Sequence, residues 1–370
     1  MKLRLYILFS FFYTFTFCQE KTTNKKVIYH GEFNFKGSFL LPHVDEVKSL
    51  VNGTLPIYEI GAEFPNLGNS HFHKNFPHNN WGIMLNFSPL TGNENLGVSI
   101  GILPYLNINF LNNKDSRWKF RLGSGLGFIQ KPFNKIDNPK NLAIGTFLNN
   151  LTDFTIQYQT YLPLDLIAKV GFGMQHFSNG AFTRPNHGLN LPYISLALKS
   201  QKKKNEIDNV VKEITNEKNS FFVSSFYGSK TLSFGAEKRY HVFQLSGGYS
   251  IGFTKGNFIH IQSDIIIDNS LPYLKKYDFE FKNIDKVMIG LFSNYEKKFG
   301  QIGLLVGLGL YLHSPFQTFN TDWSYANNGS IFYTRIGIKY HISKLIFAQV
   351  SVRTHMEGAD NTEFGIGYKF

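Results

Sequence analysis

The sequence predicts an all-β protein, an antiparallel transmembrane β-barrel of outer-membrane type, and three observations carry that reading. Large apolar residues alternate with charged, amide and glycine residues along almost the whole chain, the period-two signature of strands. Composition agrees: the 370 residues are 16% aromatic and include 33 Gly, yet only 42% are hydrophobic and the mean hydropathy is −0.18. No run of about 20 apolar residues exists beyond the N-terminus, which excludes a helical membrane protein, whereas barrel strands need only ~10-residue alternating segments. Finally, the chain ends Phe364-Gly-Ile-Gly-Tyr-Lys-Phe370. This amphipathic stretch with a terminal aromatic looks like the sorting signal read by the barrel assembly machinery of the outer membrane. A sandwich with an aqueous exterior would alternate too; the strand-end aromatics and the two termini favour the barrel.

Residues 1–18 read as a secretory signal. Lys2 and Arg4 precede the apolar run Leu5 to Phe17, too short to span a bilayer, and Thr16-Phe17-Cys18 before Gln19 is a tolerable cleavage site. Cys18 is the sole cysteine, and Phe17 is a poor neighbour for a lipidated one, so cleavage after Cys18 leaves a chain without thiol or disulfide chemistry. Loss of Lys2 and Arg4 would take the formal charge from +12 to +10. A basic surface suits an anionic glycolipid, and equally a generic solvated surface.

The strands follow in order. Phe33, Phe35, Phe39 and Leu41 share a parity. Tyr58, Ile60, Ala62 and Phe64 alternate with Glu59, Gly61 and Glu63, and Trp81, Ile83, Leu85 and Phe87 with Gly82, Met84 and Asn86. Leu96, Val98, Ile100 and Ile102 make the fourth strand. Trp118, Phe120, Leu122, Leu126 and Phe128 face away from Lys119 and Arg121 in the fifth. Phe154, Ile156 and Tyr158 mark the sixth, a strand ending at Ser178 is the seventh, and Ile194, Leu196 and Leu198 the eighth. Pro65 to Asn80 stands out as a long periplasmic connection, the side where turns should be short.

Residues 201–219 break the pattern with five lysines, four acids and no aromatic. Ile207, Val210, Val211 and Ile214 are helically spaced, so the segment reads as a periplasmic linker with a short amphipathic helix. Strand grammar resumes over 220–370, for example Phe243 to Phe253, Ile302 to Leu312 and Phe332 to Tyr340. Eight further strands bring the total to roughly sixteen. One enlarged barrel is the preferred reading, because the one recognisable terminal signal is at Phe370; an eight-stranded barrel over 19–200 plus a second eight-stranded unit is the alternative.

The chemistry concentrates in His176-Phe-Ser178-Asn179, Gly180 to Arg184, and Pro185-Asn186-His187-Gly188-Leu189-Asn190. Reading back from Ser178 in twos gives His176, Met174, Phe172, Val170, Ala168, Leu166 and Leu164, so His176 and Ser178 share the oily face. A nucleophile and base on a lipid-facing strand suit a lipid substrate. A serine hydroxyl needs an adjacent base to take its proton, and the base needs a third group to set its tautomer. Asn190 has the parity of Ile194, Leu196 and Leu198, and a hairpin brings it alongside His176, where its carbonyl can accept from the ring N–H. Asn179, with the backbone N–H of Gly180 or Ala181, could stabilise an oxyanion.

This segment resembles the active-site run of the lipid A 3-O-deacylases of the outer membrane and their acyloxyacyl hydrolase-like relatives, in which His-x-Ser-Asn is followed by Pro-Asn-x-Gly and a catalytic Glu. The strong match covers about residues 164–199. The resemblance implies His176 as general base, Ser178 as nucleophile, Asn179 as oxyanion donor and Pro185, Asn186 and Gly188 as structural motif; the family's Glu falls on Asn190, a departure. It also implies a serine esterase acting on lipopolysaccharide, without cofactor, beside outer-membrane lipid. The competing reading is a porin-like or structural barrel that keeps the scaffold without its acid. His176 and Ser178 could also be plain headgroup-level polar residues, and Pro185, Asn186 and Gly188 plain turn formers. His71, His73 and His78 share a loop without a fixed fourth ligand, so no metal site is assigned, and no nucleic-acid motif is present.

Overall fold

The computed structural model describes residues 29–370 apart from 52, 66–78, 91–93, 111–115, 202–218, 255, 274–285, 315–330 and 356–357. Residues 1–18, read from the sequence as a secretory signal, the charged run 202–218 and His71, His73 and His78 therefore lie outside the described residues. The first eight strands are β1 (His30–Phe39), β2 (Thr54–Phe64), β3 (Asn80–Ser88), β4 (Ser99–Asn109), β5 (Trp118–Ile129), β6 (Leu148–Leu162), β7 (Leu166–Ser178) and β8 (Leu189–Ser200). Then come β9 (Ser220–Lys230), β10 (Tyr240–Thr254), β11 (Asn257–Asp268), β12 (Val287–Phe299), β13 (Ile302–His313), β14 (Phe332–His341), β15 (Ile346–His355) and β16 (Gly358–Lys369).

The chain is all-β and antiparallel with sixteen strands, but it closes twice. β8 returns to β1 in a register running from Lys199↔Glu32 to Tyr193↔Ser38, and β16 returns to β9 from Glu363↔Gly228 to Lys369↔Phe222. The single enlarged barrel is thus corrected to the two-unit alternative. The reason lies in the lumens. Eight strands enclose a space that side chains can fill, whereas sixteen enclose a water channel. In the first barrel Lys36 on β1 reaches across to Asp153 on β6 at 2.7 Å and to Glu59 at 2.8 Å. Arg121 and Lys169 share Glu32 at 2.5 and 2.7 Å, and Lys199 meets Glu63 at 2.5 Å. A buried charge is tolerable only when paired, and these pairs bridge only a narrow lumen. The second barrel repeats the device: Arg335 holds Glu363 and Asp264, Lys230 bridges Asp268 and Asp360, and Glu296 collects Lys339, His260 and His341.

Burial is inverted relative to a water-soluble sandwich. Lys36, Glu59 and Asp153 are buried, while Ile194 is 67% and Leu196 60% exposed on the outer face. An apolar exterior around an ion-paired interior is what a bilayer-spanning barrel requires. Two strand ends need amending: β4 begins at Ser99, so Leu96 and Val98 precede it, Leu96 as part of the buried core, and β1 ends at Phe39, before Leu41. The long connection after β2 stands, since β2 ends at Phe64 and β3 begins at Asn80.

The end of the first barrel that carries the β7–β8 loop is closed by an apolar plug. Leu40, Leu55, Ile129, Leu151, Phe177 and Leu189 pack there with Val47 of the short helix Asp45–Lys48. Phe177 points into this plug, which anchors the end of β7 and leaves its neighbours His176 and Ser178 facing outward.

Candidate active site

β7 alternates as its sequence demands: Lys169, Gln175 and Phe177 are buried inside, and Val170 and Phe172 are exposed outside with His176 and Ser178 on the same face. His176 is paired directly with Asn190 across the β7–β8 ladder. Directly opposed residues of an antiparallel pair lie within side-chain reach, and the His176 Nδ1 to Asn190 Oδ1 distance is 2.6 Å. On its far side the Asn190 Nδ2 lies 2.9 Å from Nδ1 of His43, in the β1–β2 loop. With Nδ2 donating to His43, Oδ1 is left to accept from His176 Nδ1–H. That places the free lone pair of His176 on Nε2, the tautomer a general base needs.

Gly188 makes this placement possible. Its φ is +82°, and a Cβ there would sit 2.7 Å from Cε1 of the His176 ring. Its N–H donates to the carbonyl of Ala143 at 2.8 Å, tying the hairpin to the β5–β6 loop.

Ser178 has different partners. Its Oγ accepts from Asn186 Nδ2 at 2.9 Å and from the Gly180 N–H at 3.1 Å. Among the described residues no hydrogen bond joins Ser178 to His176. Such contacts are often loose without substrate and tighten in the complex. Asn186 also accepts the Asn179 N–H on Oδ1 at 2.8 Å. The Asn179 carboxamide turns into its own loop: Nδ2 donates to the Thr183 carbonyl at 2.9 Å and to Thr146 Oγ1 at 3.1 Å, and Oδ1 accepts the Thr183 N–H at 3.3 Å. Gly180 and Ala181 follow at φ +60° and +62°. A non-glycine residue there costs about 1 kcal/mol or more, so the loop is held by its surroundings.

The structure therefore brings His176, Asn190, Ser178, Gly180 and Asn186 together at the end of one hairpin, with His176, Ser178 and Asn190 on its outward face. It puts Asn186, read from sequence as a turn former, on the serine. His43 was not foreseen: it lies 147 residues from Asn190 in sequence, and nothing local marks it. The fixed spacing of Pro185-Asn186-x-Gly188 was the one signal for Asn186.

These features define a class: an eight-stranded barrel with an apolar outer face, interrupted at one end by a histidine, an amide and a serine. The lipid A 3-O-deacylase family model matches residues 58–199, and the acyloxyacyl hydrolase C-terminal domain model matches residues 219–370. The chain belongs to the lipid A 3-O-deacylase and acyloxyacyl hydrolase family. At family level this supports lipid A deacylation, with lipid A as substrate and ester hydrolysis as the chemistry. No curated protein matches the chain. Solved structures that match include a triple mutant of a Rhodopseudomonas blastica porin at 8% identity and TM-score 0.20, and a second mutant of that porin at 8% and 0.21. Each covers 93% of this chain and 100% of its own, a likeness too slight to inform fold or function.

Proposed function

We propose that this protein is a serine esterase that removes a 3-O-linked acyl chain from lipid A in the outer leaflet of the outer membrane. The observation that carries the reading is the 2.6 Å contact between His176 Nδ1 and Asn190 Oδ1, on the lipid-facing surface two residues from Ser178. Outer-membrane barrels begin in the periplasm, so β7 runs outward and its end lies at the outer leaflet. The basic chain suits the phosphates of lipopolysaccharide, and insertion falls to the barrel assembly machinery.

In the reaction the Ser178 hydroxyl turns from Asn186 to His176 and attacks the ester carbonyl while Nε2 takes its proton. The Gly180 N–H and Asn186 Nδ2, which hold Oγ at rest, lie beside the developing oxyanion, where each donor contributes about 10²- to 10³-fold. His176 returns the proton to the departing sugar oxygen, which leaves as a hydroxyl as the ester C–O bond breaks. Water, deprotonated by His176, then releases the fatty acid and restores Ser178. Asn190 orients the imidazole but brings no negative charge, so turnover is modest. In a serine protease the acid-to-amide change costs about 10⁴.

The test is purified protein in detergent micelles with lipopolysaccharide and no added metal. Mass spectrometry should detect a free hydroxylated fatty acid and a lipid A lighter by one acyl chain. No release from several lipid A types would leave the non-catalytic barrel as the better reading, and full activity in Ser178→Ala would overturn Ser178 as the nucleophile.

A further inference from the structure

We infer that the second barrel is a positioning device for the catalytic loop of the first, acting through Arg239, Thr362 and Thr231. The inference rests on the esterase reading above and assigns the C-terminal half a part in it.

The loop that follows Ser178 is gripped from outside its own barrel. The Gly180 carbonyl accepts from Thr362 Oγ1 at 2.8 Å, the Phe182 carbonyl from Arg239 Nη2 at 2.6 Å, and the Arg184 carbonyl from the Gly235 N–H at 3.1 Å. Every second carbonyl from 180 to 184 is thus taken by the second barrel. In the opposite sense the Arg184 N–H donates to Thr231 Oγ1 at 2.9 Å, while Arg239 Nη1 adds a further donation to Thr183 Oγ1 at 3.2 Å.

Arg239 is itself held from behind. Its Nε and Nη2 contact Ser229 Oγ at 3.2 and 3.0 Å, and its guanidinium lies 3.8 Å from the centre of the Phe182 ring. A guanidinium fixed at one end to a strand and stacked at the other transmits position better than a flexible ammonium would. Above Gly180 there is no slack: a Cβ there would run into the Thr362 hydroxyl.

What the grip fixes is the chemistry. Gly180 supplies the N–H on Ser178 Oγ, and Asn186, at the loop's far end, supplies the amide. Both must stay within hydrogen-bond reach of the reacting oxygen, and an error of about 1 Å costs about 10²-fold. Ala181 is held at φ +62°, where a non-glycine residue is strained, and besides the Asn179 contacts to Thr183 and Thr146 the loop's carbonyls are fixed by the second barrel. Two of the three carbonyl donors are side chains of the second barrel, so that barrel sets where the oxyanion donors stand.

The test uses the full chain in micelles, as Thr362→Val, Arg239→Met and the double variant. Valine keeps the shape of threonine without its donor, and methionine keeps the apolar stem. The double variant should lose about 10- to 100-fold in kcat with KM for lipid A unchanged. Amide exchange should rise over residues 180–186, and heat-modifiable migration should persist. Arg239→Lys should recover only part of the loss. Unchanged kcat in a wild-type-active background would overturn this inference alone, as would a loss expressed in KM. Wild type releasing no fatty acid would overturn the esterase reading and this one with it. If Arg239→Met fails to fold, Thr362→Val decides by the same readouts.

Discussion

The two barrels are the same solution to burial, and they differ at one hairpin. In each, eight strands close around ion-paired charges and present an apolar exterior. The closing hairpin of the first is β7–β8, and that of the second is β15–β16. Both carry a histidine near the end that faces the inter-barrel loops. His176 has the outward parity and meets Asn190. His355 has the inward parity, is buried, and is 2.9 Å from the Tyr311 hydroxyl. One step in register sends a side chain to the opposite face, so the same residue type at the same end is a candidate base in one barrel and lumen filling in the other. The barrel supplies a rigid wall, and parity with loop sequence makes it a site.

The sharpest way to break this comparison is to remove each histidine. His176→Ala should bring fatty acid release below detection, as should Ser178→Ala, with both barrels still folded, since each side chain lies on the outer face. Because the two act as a unit, the double variant should be scarcely worse than either single one. His355→Ala should leave chemistry intact. Equal losses from His176→Ala and His355→Ala would show that both act through the fold.

Lumen charges should matter equally in both barrels. Lys36→Met strands Glu59 and Asp153 in the first, and Arg335→Met strands Asp264 in the second and leaves Glu363 only its 3.5 Å ion pair with Arg353. Each should cost about 3–5 kcal/mol, the cost of an unpaired buried charge, read from urea unfolding in micelles. A negligible change in either would mean that water reaches that lumen.

Gly188→Ala should lower kcat about 10²-fold, because its Cβ collides with the His176 ring, and should lower stability by about 1 kcal/mol or more, because alanine is strained at φ +82°. The smallest expected effect is a gain: Asn190→Glu should raise turnover about tenfold by supplying the charge that steadies the imidazolium. Unchanged or lower activity with the fold intact would mean that another group orients the base, or that none does.

Much of this was legible in the sequence. Each of the first eight strands appears where its alternation placed it apart from the end of β1 and the start of β4, and β3 follows the long connection after Phe64, because alternation depends only on neighbours two residues apart. The outward parity of His176, Ser178 and Asn190 was readable for the same reason. Leu96 was misplaced because an apolar residue entering a strand reads like one inside it.

Closure and contact were not legible. Whether β8 pairs with β1 or β9 is a choice between edges far apart in the chain, and both edges satisfy the same alternation. It was decided by charges on facing walls, such as Lys36 and Asp153, that meet only when eight strands close. The partners of Ser178 and the inter-barrel grip depend on where loops cross in space. Asn186, His43 and Arg239 come to the site through backbone turns and a neighbouring barrel, and no period in the sequence encodes those distances. The sequence by itself determined which residues face lipid and which face the lumen, because strand pleating is local; only the tertiary structure decided the number of barrels and the neighbours of Ser178, because both arise from pairing between distant segments.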